Sequence, residues 1–116
     1  GTSKIEIICL DFPMFDVEAI VEWDGKAFQH MQNLKTLIIR NGNFSKGPEY
    51  LPNSLRVLEW WRYPSHCLPS DFHPKELSIC KLPSSHISTI ELTNLSRASI
   101  MSTFSSSCRF TLRLFI

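Results

Sequence analysis

The 116-residue sequence lacks the features that mark several common classes of protein. Its apolar runs are only a few residues long, whereas a bilayer-spanning helix needs about 20 apolar residues in succession. No secretory signal is visible after Gly1, and no Cys-x-x-Cys pair suggests a zinc ribbon or a redox motif. The four glycines are too dispersed for a P-loop or a dinucleotide-binding fingerprint, so no nucleotide cofactor is predicted.

The sequence also has little net charge. Twelve basic and eleven acidic side chains leave a formal charge of +1. Nucleic-acid-binding proteins usually present a clustered basic face, so no nucleic-acid partner is predicted. Apolar residues make up 43% of the chain and charged residues 20%, which is typical of a globular protein. The length is sufficient for one domain.

The four cysteines are too few and too widely spaced for a disulfide scaffold, which favours a reducing compartment. A mixed zinc set can be assembled from Cys67, His73, Cys80 and His86, separated by five or six residues. Zinc ligands usually come in tighter pairs, because a short turn presents two donors to one ion. Thiols in or near a core are the better interpretation, so no metal is predicted. A small zinc-dependent enzyme is the weaker alternative.

A repeated apolar pattern is the most informative feature that is present. The motif apolar-x-x-apolar-x-apolar begins at residues 5, 34, 55 and 77, with successive offsets of 29, 21 and 22 residues. Its four copies are Ile5-x-x-Ile8-x-Leu10, Leu34-x-x-Leu37-x-Ile39, Leu55-x-x-Leu58-x-Trp60 and Leu77-x-x-Cys80-x-Leu82. A period of 20–29 residues with this spacing is typical of leucine-rich repeats.

Each copy predicts a short strand with one buried face, because apolar and polar residues alternate through its centre. The predicted strands lie near 5–10, 35–40, 56–61 and 78–82. Stacked repeats pair these strands in parallel and bury one continuous apolar column, in which Trp60 occupies a leucine position. The fold class is therefore α/β: a fragment of a leucine-rich-repeat solenoid with parallel strands on its concave face.

The connections between the strands predict irregular structure behind the sheet. Asp24 can cap a short helix over Lys26–Gln32, whose apolar side chains fall on one face. Five prolines between residues 48 and 74 disfavour long helices in the later connections. We therefore expect irregular loops, 3₁₀ turns and one or two short helices on the convex side.

After residue 90 the pattern fails. Six of the twelve residues Ser96–Ser107 are serine, a composition typical of loops or disorder. We interpret 1–90 as N-terminal repeats and 91–116 as a divergent tail, disordered or aberrant. The hypothesis for the tail is a truncated or aberrantly spliced product.

The stretch from Ala27 to Ile87 closely resembles the first leucine-rich repeats of plant TIR–NB–LRR disease-resistance proteins. The most specific segments read LPNSLRVLEWWRYP and LPSDF, and the resemblance covers about residues 1–90. It implies a non-catalytic module in the cytoplasm, with the nucleus as a second compartment. The implied role is pathogen recognition and autoinhibition of a nucleotide-binding switch. The implied partners are a pathogen effector, a guarded host protein or the receptor's own nucleotide-binding domain.

If the strands stack, the residues between the leucines form columns on the concave face, about 4.8 Å apart. This register places Glu59 beside Lys81, and Arg40 between Asp11 and Trp61. The candidate interaction residues are Arg40, Glu59, Trp61, Arg62 and Lys81, because exposed Trp and Arg are common at the centres of interfaces. The competing interpretation of the charged residues is lateral pairing within the sheet. A stand-alone truncated repeat protein acting as adaptor or decoy is the alternative function.

Overall fold

The computed structural model describes residues 2–13 and 19–87, and the predicted tail 91–116 lies outside them. A 3₁₀-helix at Thr2–Lys4 precedes six strands. The strands are β1 (Ile7–Asp11), β2 (Ile20–Val21), β3 (Thr36–Arg40), β4 (Asn43–Phe44), β5 (Val57–Trp60) and β6 (Ile79–Lys81). The predicted boundary of the repeats at residue 90 also falls outside the described part.

The principal sheet has the strand order β1-β3-β5-β6, and all three pairings are parallel. The register aligns equivalent repeat positions: Leu37 lies opposite Ile8 on one side and Leu58 on the other, and Leu58 lies opposite Cys80. The prediction of parallel strands from the repeat spacing is therefore confirmed. Parallel neighbours require a crossover between them, and the connections of the repeats supply it.

One face of this sheet forms the core. Nine motif residues from three repeats are 0–1% exposed: Leu34, Leu37, Ile39, Leu55, Leu58, Trp60, Leu77, Cys80 and Leu82. The first repeat is less covered, since Ile8 is only partly buried and Leu10 is 41% exposed. β6 is also an edge strand, yet its Cys80 is fully buried, so edge position alone does not account for the exposure of β1.

An aromatic cluster fills the space behind β5. The Trp60 ring is surrounded by the rings of Trp23, Phe28, Phe44 and Tyr63, with centroid distances of 5.3–6.3 Å. Most of these contacts are edge-to-face, the arrangement that the charge distribution of aromatic rings favours. The buried Trp60 Nε1 has no hydrogen-bond partner among the described residues, so ring packing alone holds this side chain. The cluster also anchors the small parallel sheet β2-β4, to which Phe44 belongs.

The predicted helix over Lys26–Gln32 is wrong. This segment forms turns instead, closed by hydrogen bonds from Gln29 N to Lys26 O and from Met31 N to Phe28 O, 3.1 and 3.2 Å long. Asp24 does cap the first turn, because its Oδ1 accepts a 2.9 Å bond from Lys26 N. A helix this short has little to offset its costly nucleation. No α-helix occurs anywhere in 2–13 or 19–87, so the expectation of helices behind the sheet is corrected.

Polar side chains in the connections join successive repeats. Asn53 accepts a 2.7 Å hydrogen bond from His73 N through Oδ1, and Ser54 Oγ donates one of 2.7 Å to Leu34 O. Asn33 reaches back to the N-terminal segment, where its Nδ2 lies 2.6 Å from Ser3 O. Such bonds satisfy backbone groups that irregular loops leave without a sheet or helix partner.

Candidate interaction surface

The face of the principal sheet opposite the core is open. Its first column consists of Ile7, Thr36, Val57 and Ile79, and its second of Cys9, Ile38, Glu59 and Lys81. Side chains alternate between the two faces of a strand, so the residues between the motif positions necessarily fall here. The surface is apolar at its first column and charged toward the carboxyl ends of the strands.

Glu59 organises the charged part of this face. Its Oε2 atom accepts a hydrogen bond of 3.0 Å from Arg40 Nε and one of 2.7 Å from Trp61 Nε1. Glu59 is only 8% exposed, so its charge is largely removed from water and needs these donors. The hydrogen bond to Glu59, with its negative charge as the second cause, raises the pKa of Arg40 above its ordinary value.

Trp61 remains accessible although its indole nitrogen is bonded. It is 37% exposed, in contrast to its neighbour Trp60, which is fully buried. The bond from Nε1 to Glu59 uses the polar atom of the indole, which leaves the exposed part of the ring for apolar contact. An indole held by a charged partner is a rigid, amphipathic contact of the kind that dominates interfaces.

The structure brings together three of the five candidate residues, namely Arg40, Glu59 and Trp61. Lys81 lies directly opposite Glu59 in the register, as expected from the columns. It nevertheless makes no ion pair within the described residues, and Arg40 takes the carboxylate instead. A guanidinium is a flat donor that can approach the carboxylate from the next column, and two charge-assisted donors satisfy one oxygen.

Arg62 lies apart from the other four. It follows β5 in the left-handed conformation, with φ of 63°, and its backbone N donates a 2.8 Å hydrogen bond to Pro83 O. Its side chain lines a separate groove of about 290 Å³. His66 and His86 line the same groove, and the sequence suggested no role for His66 and only the alternative zinc set for His86. Their offset of 20 residues, close to the repeat period, is the signal that could have paired them.

The alternative zinc set is not assembled. Cys80 is fully buried in β6, whereas Cys67, His73 and His86 are exposed. Across residues 2–13 and 19–87 there is no group of three or more His, Cys, Asp or Glu side chains able to hold a metal ion. In the same part of the chain no helix is long and apolar enough to cross a membrane.

Parallel strands at a repeat spacing, with a buried apolar column and an open face, are consistent with a fragment of a leucine-rich-repeat protein. Comparison with known proteins identifies similar sequences among plant disease resistance proteins. The chain is 38% identical over 102 residues to the disease resistance-like protein DSC1 of Arabidopsis thaliana, a match over 78% of the chain. It is also 40% identical to the disease resistance protein RPS6 over 66% of the chain, and 34% identical to the disease resistance protein RRS1 over 75%, both from the same plant.

These homologues confirm the resemblance to plant disease resistance proteins, and none of the three has the name of an enzyme. The chain spans only 7–8% of the length of the three relatives, so it corresponds to one segment of them. No family model matches the chain, and no solved structure matches it significantly.

Proposed function

We propose that the chain forms the first leucine-rich repeats of an intracellular plant immune receptor of the TIR–NB–LRR type, as a non-catalytic protein-interaction module. The supporting observations are the four aligned parallel strands and the similarity to segments of disease resistance proteins. The module acts in the cytoplasm, with the nucleus as a second compartment.

The open face carries the interaction. The observation that supports this role is the hydrogen bond of 2.7 Å that holds Trp61 on Glu59 while the indole stays 37% exposed. A large aromatic ring that is rigid before binding loses little conformational freedom when a partner covers it. The Arg40–Glu59 pair fixes the edge of this ring, and the first column adds contact area.

Two partner classes fit this face. The first is the receptor's own nucleotide-binding domain, which the repeats would restrain in the inactive state. The second is a pathogen effector or a guarded host protein. Both are recognised by the same surface chemistry, so binding of one competes with binding of the other. This competition would couple recognition to release of the switch.

The experiment uses the full-length receptor that contains this segment, expressed in leaves with Trp61→Ala. Tyr50→Ala is the matched control, because Tyr50 is 36% exposed but lines a different depression together with Leu51 and Pro52. If the open face restrains the receptor, the Trp61 variant triggers cell death without a pathogen and the Tyr50 variant does not.

Loss of pathogen-induced signalling with no spontaneous cell death would assign the face to recognition alone. Wild-type behaviour of the Trp61 variant in both assays would show that this face binds neither partner. Both variants must accumulate to the wild-type level, which immunoblotting checks. A fluorescent fusion of the receptor tests the proposed compartments in the same leaves.

A further inference from the structure

The groove that Arg62 lines is a second candidate site, separate from the Arg40–Glu59–Trp61 group. It is built from segments that follow β3, β5 and β6 and lies where these strands end. Its volume of about 290 Å³ is near the lower end of the range in which small ligands bind. A ligand of one ring and one charged group fits such a volume, whereas a dinucleotide does not.

Among the described residues, the groove contains a permanent positive charge and no acidic side chain. Arg62, His66 and His86 line it, and none of the residues that line it is aspartate or glutamate. The structure describes three arginines, of which Arg40 pairs with Glu59 and Arg56 with Glu76. Arg62 makes no ion pair within the described residues, so its guanidinium is available for an anion. A guanidinium binds phosphate and carboxylate oxygens through two parallel N–H groups.

One ring nitrogen of His66 is bound within the fold. Its Nδ1 lies 3.1 Å from His86 O, and a carbonyl oxygen only accepts, so Nδ1 carries a proton. The Nε2 atom donates to a phosphate oxygen when the ring carries a second proton. The His86 ring lies beside it, at a centroid distance of 6.1 Å.

The remaining wall of the groove is mixed: Asn43, Ser65 and Ser84 are polar, whereas Phe44, Tyr63 and Pro64 supply aromatic and apolar surface. Phe44 is half-buried and lines the groove, and Tyr63 lies beneath with its hydroxyl committed to Cys67 O at 3.1 Å. Phe44 packs against Trp60 at a centroid distance of 5.3 Å, which fixes its ring. A rigid ring beside a cationic wall suits a ligand in which an aromatic body carries the oxyanion.

We infer that this groove binds an aryl phosphate, with Arg62 and His66 holding the phosphate and Phe44 contacting the ring. Two sources offer this chemistry: a small aryl phosphate, or the phosphotyrosine side chain of a peptide. This groove is separate from the open face of the sheet. The binding of an aryl phosphate here and the proposed function of the open face can therefore be disproved independently.

The test is titration of the complete 116-residue chain with phenyl phosphate, followed by the NMR signals of the histidine rings. We expect the His66 and His86 signals to shift and saturate, and Arg62→Gln to weaken binding by about tenfold or more. The matched control Arg56→Gln removes an arginine paired with Glu76 outside the groove, and it leaves the affinity unchanged. Arg62→Lys keeps the charge and retains part of the affinity.

Two further ligands are compared, and circular dichroism confirms that each variant is folded. Phenol tests the ring alone and is expected to bind weakly, because it lacks the oxyanion. A phosphotyrosyl peptide that binds more tightly than phenyl phosphate would identify a peptide source, and equal binding a small-molecule source. The inference is overturned if phenol binds as well as phenyl phosphate, if Arg56→Gln weakens binding equally, or if no saturation occurs below about 10 mM.

Discussion

Trp61 donates its indole N–H to Oε2 of Glu59, two residues earlier on the same face of the sheet, at 2.7 Å. Arg40, on the neighbouring strand, donates to the same oxygen at 3.0 Å. A nearly buried carboxylate thus fixes both an exposed aromatic ring and an exposed cation. This arrangement combines the two interpretations available from the sequence, because lateral pairing within the sheet also positions the candidate interaction residues.

The first prediction concerns Glu59. Glu59→Ala removes the acceptor of Trp61 and Arg40, and loss of the Trp61 bond alone should lower the free energy of unfolding by about 1–2 kcal/mol. Urea denaturation followed by circular dichroism measures this change. Glu76→Ala is the control, because the Arg56–Glu76 pair is solvent-exposed and should change stability by less than about 1 kcal/mol. Equal effects of the two variants would contradict the role given to Glu59.

The contribution of the Arg40–Glu59 pair to stability should not change at moderately alkaline pH. The raised pKa of Arg40 means that the pair stabilises the fold below the unfolded-state pKa of arginine and loses that effect only as pH rises through the still higher folded-state pKa. Both values lie far above neutrality. We therefore expect the contribution of Glu59, measured as the difference between wild type and Glu59→Ala, to stay constant from about pH 7 to about pH 9.

The second prediction contrasts two adjacent tryptophans. Trp60→Leu restores the usual leucine of the repeat but empties part of the aromatic cluster, and we expect a loss of about 3 kcal/mol in the free energy of unfolding. Trp61→Leu changes a side chain that is 37% exposed and should cost about 1 kcal/mol, mainly through its hydrogen bond. Urea denaturation of the two variants tests this contrast: the midpoints should shift while the m-values stay unchanged. A Trp60 variant as stable as wild type would mean that the cluster is not part of the core.

The third prediction concerns backbone conformation. Gly25 has φ of 80°, and an added Cβ would lie 3.0 Å from Gly47 O, so Gly25→Ala should destabilise the protein by about 1–2 kcal/mol. Asn41 is left-handed too, with φ of 64°, and there glycine is the less strained residue. Asn41→Gly should therefore be neutral or slightly stabilising in thermal melts. A Gly25→Ala variant as stable as wild type, or a clear loss of stability in Asn41→Gly, would rule out this account of the loop concerned.

The fourth prediction uses the thiols. Cys9 and Cys67 are exposed, whereas Cys80 is fully buried in the apolar column of the repeats. Maleimide labelling of the native chain, read by mass spectrometry of its peptides, should modify Cys80 at least about a hundredfold more slowly than the other two, because access requires opening of the core. Labelling in urea equalises the rates and serves as the control. Rapid modification of Cys80 under native conditions would contradict the stacking of the repeats.

The fifth prediction concerns the edge of the sheet. Ile7 is 68% exposed on β1, whose other side has no partner among the described residues. Exposed edges with apolar side chains favour association, and repeat arrays need polar capping units. We expect the isolated chain to be marginally stable and prone to aggregation, and Ile7→Lys to reduce aggregation in light scattering. A sharp reversible melt well above about 65 °C would disprove this expectation.

The repeat spacing was sufficient to predict which residues form the core. Leu37, Leu58 and Cys80 occupy one position in three successive motifs, and all three are fully buried in neighbouring strands. The sequence pattern did not predict the structure of Lys26–Gln32 correctly. Its amphipathic pattern was real, but a seven-residue segment does not reach the length at which helical hydrogen bonds offset nucleation.

The order of residues along this chain was enough to establish short strands, their parallel alignment and the identity of the buried face. These properties follow from the alternation of apolar and polar residues and from its repetition at a nearly constant period. The alternation and the period can both be recognised in the sequence alone. The choice of Arg40 over Lys81 as partner of Glu59, and the placement of Arg62 beside His66, emerged in three dimensions. They depend on how far long side chains reach across neighbouring strands and on where each strand turns, and no spacing in the sequence encodes either.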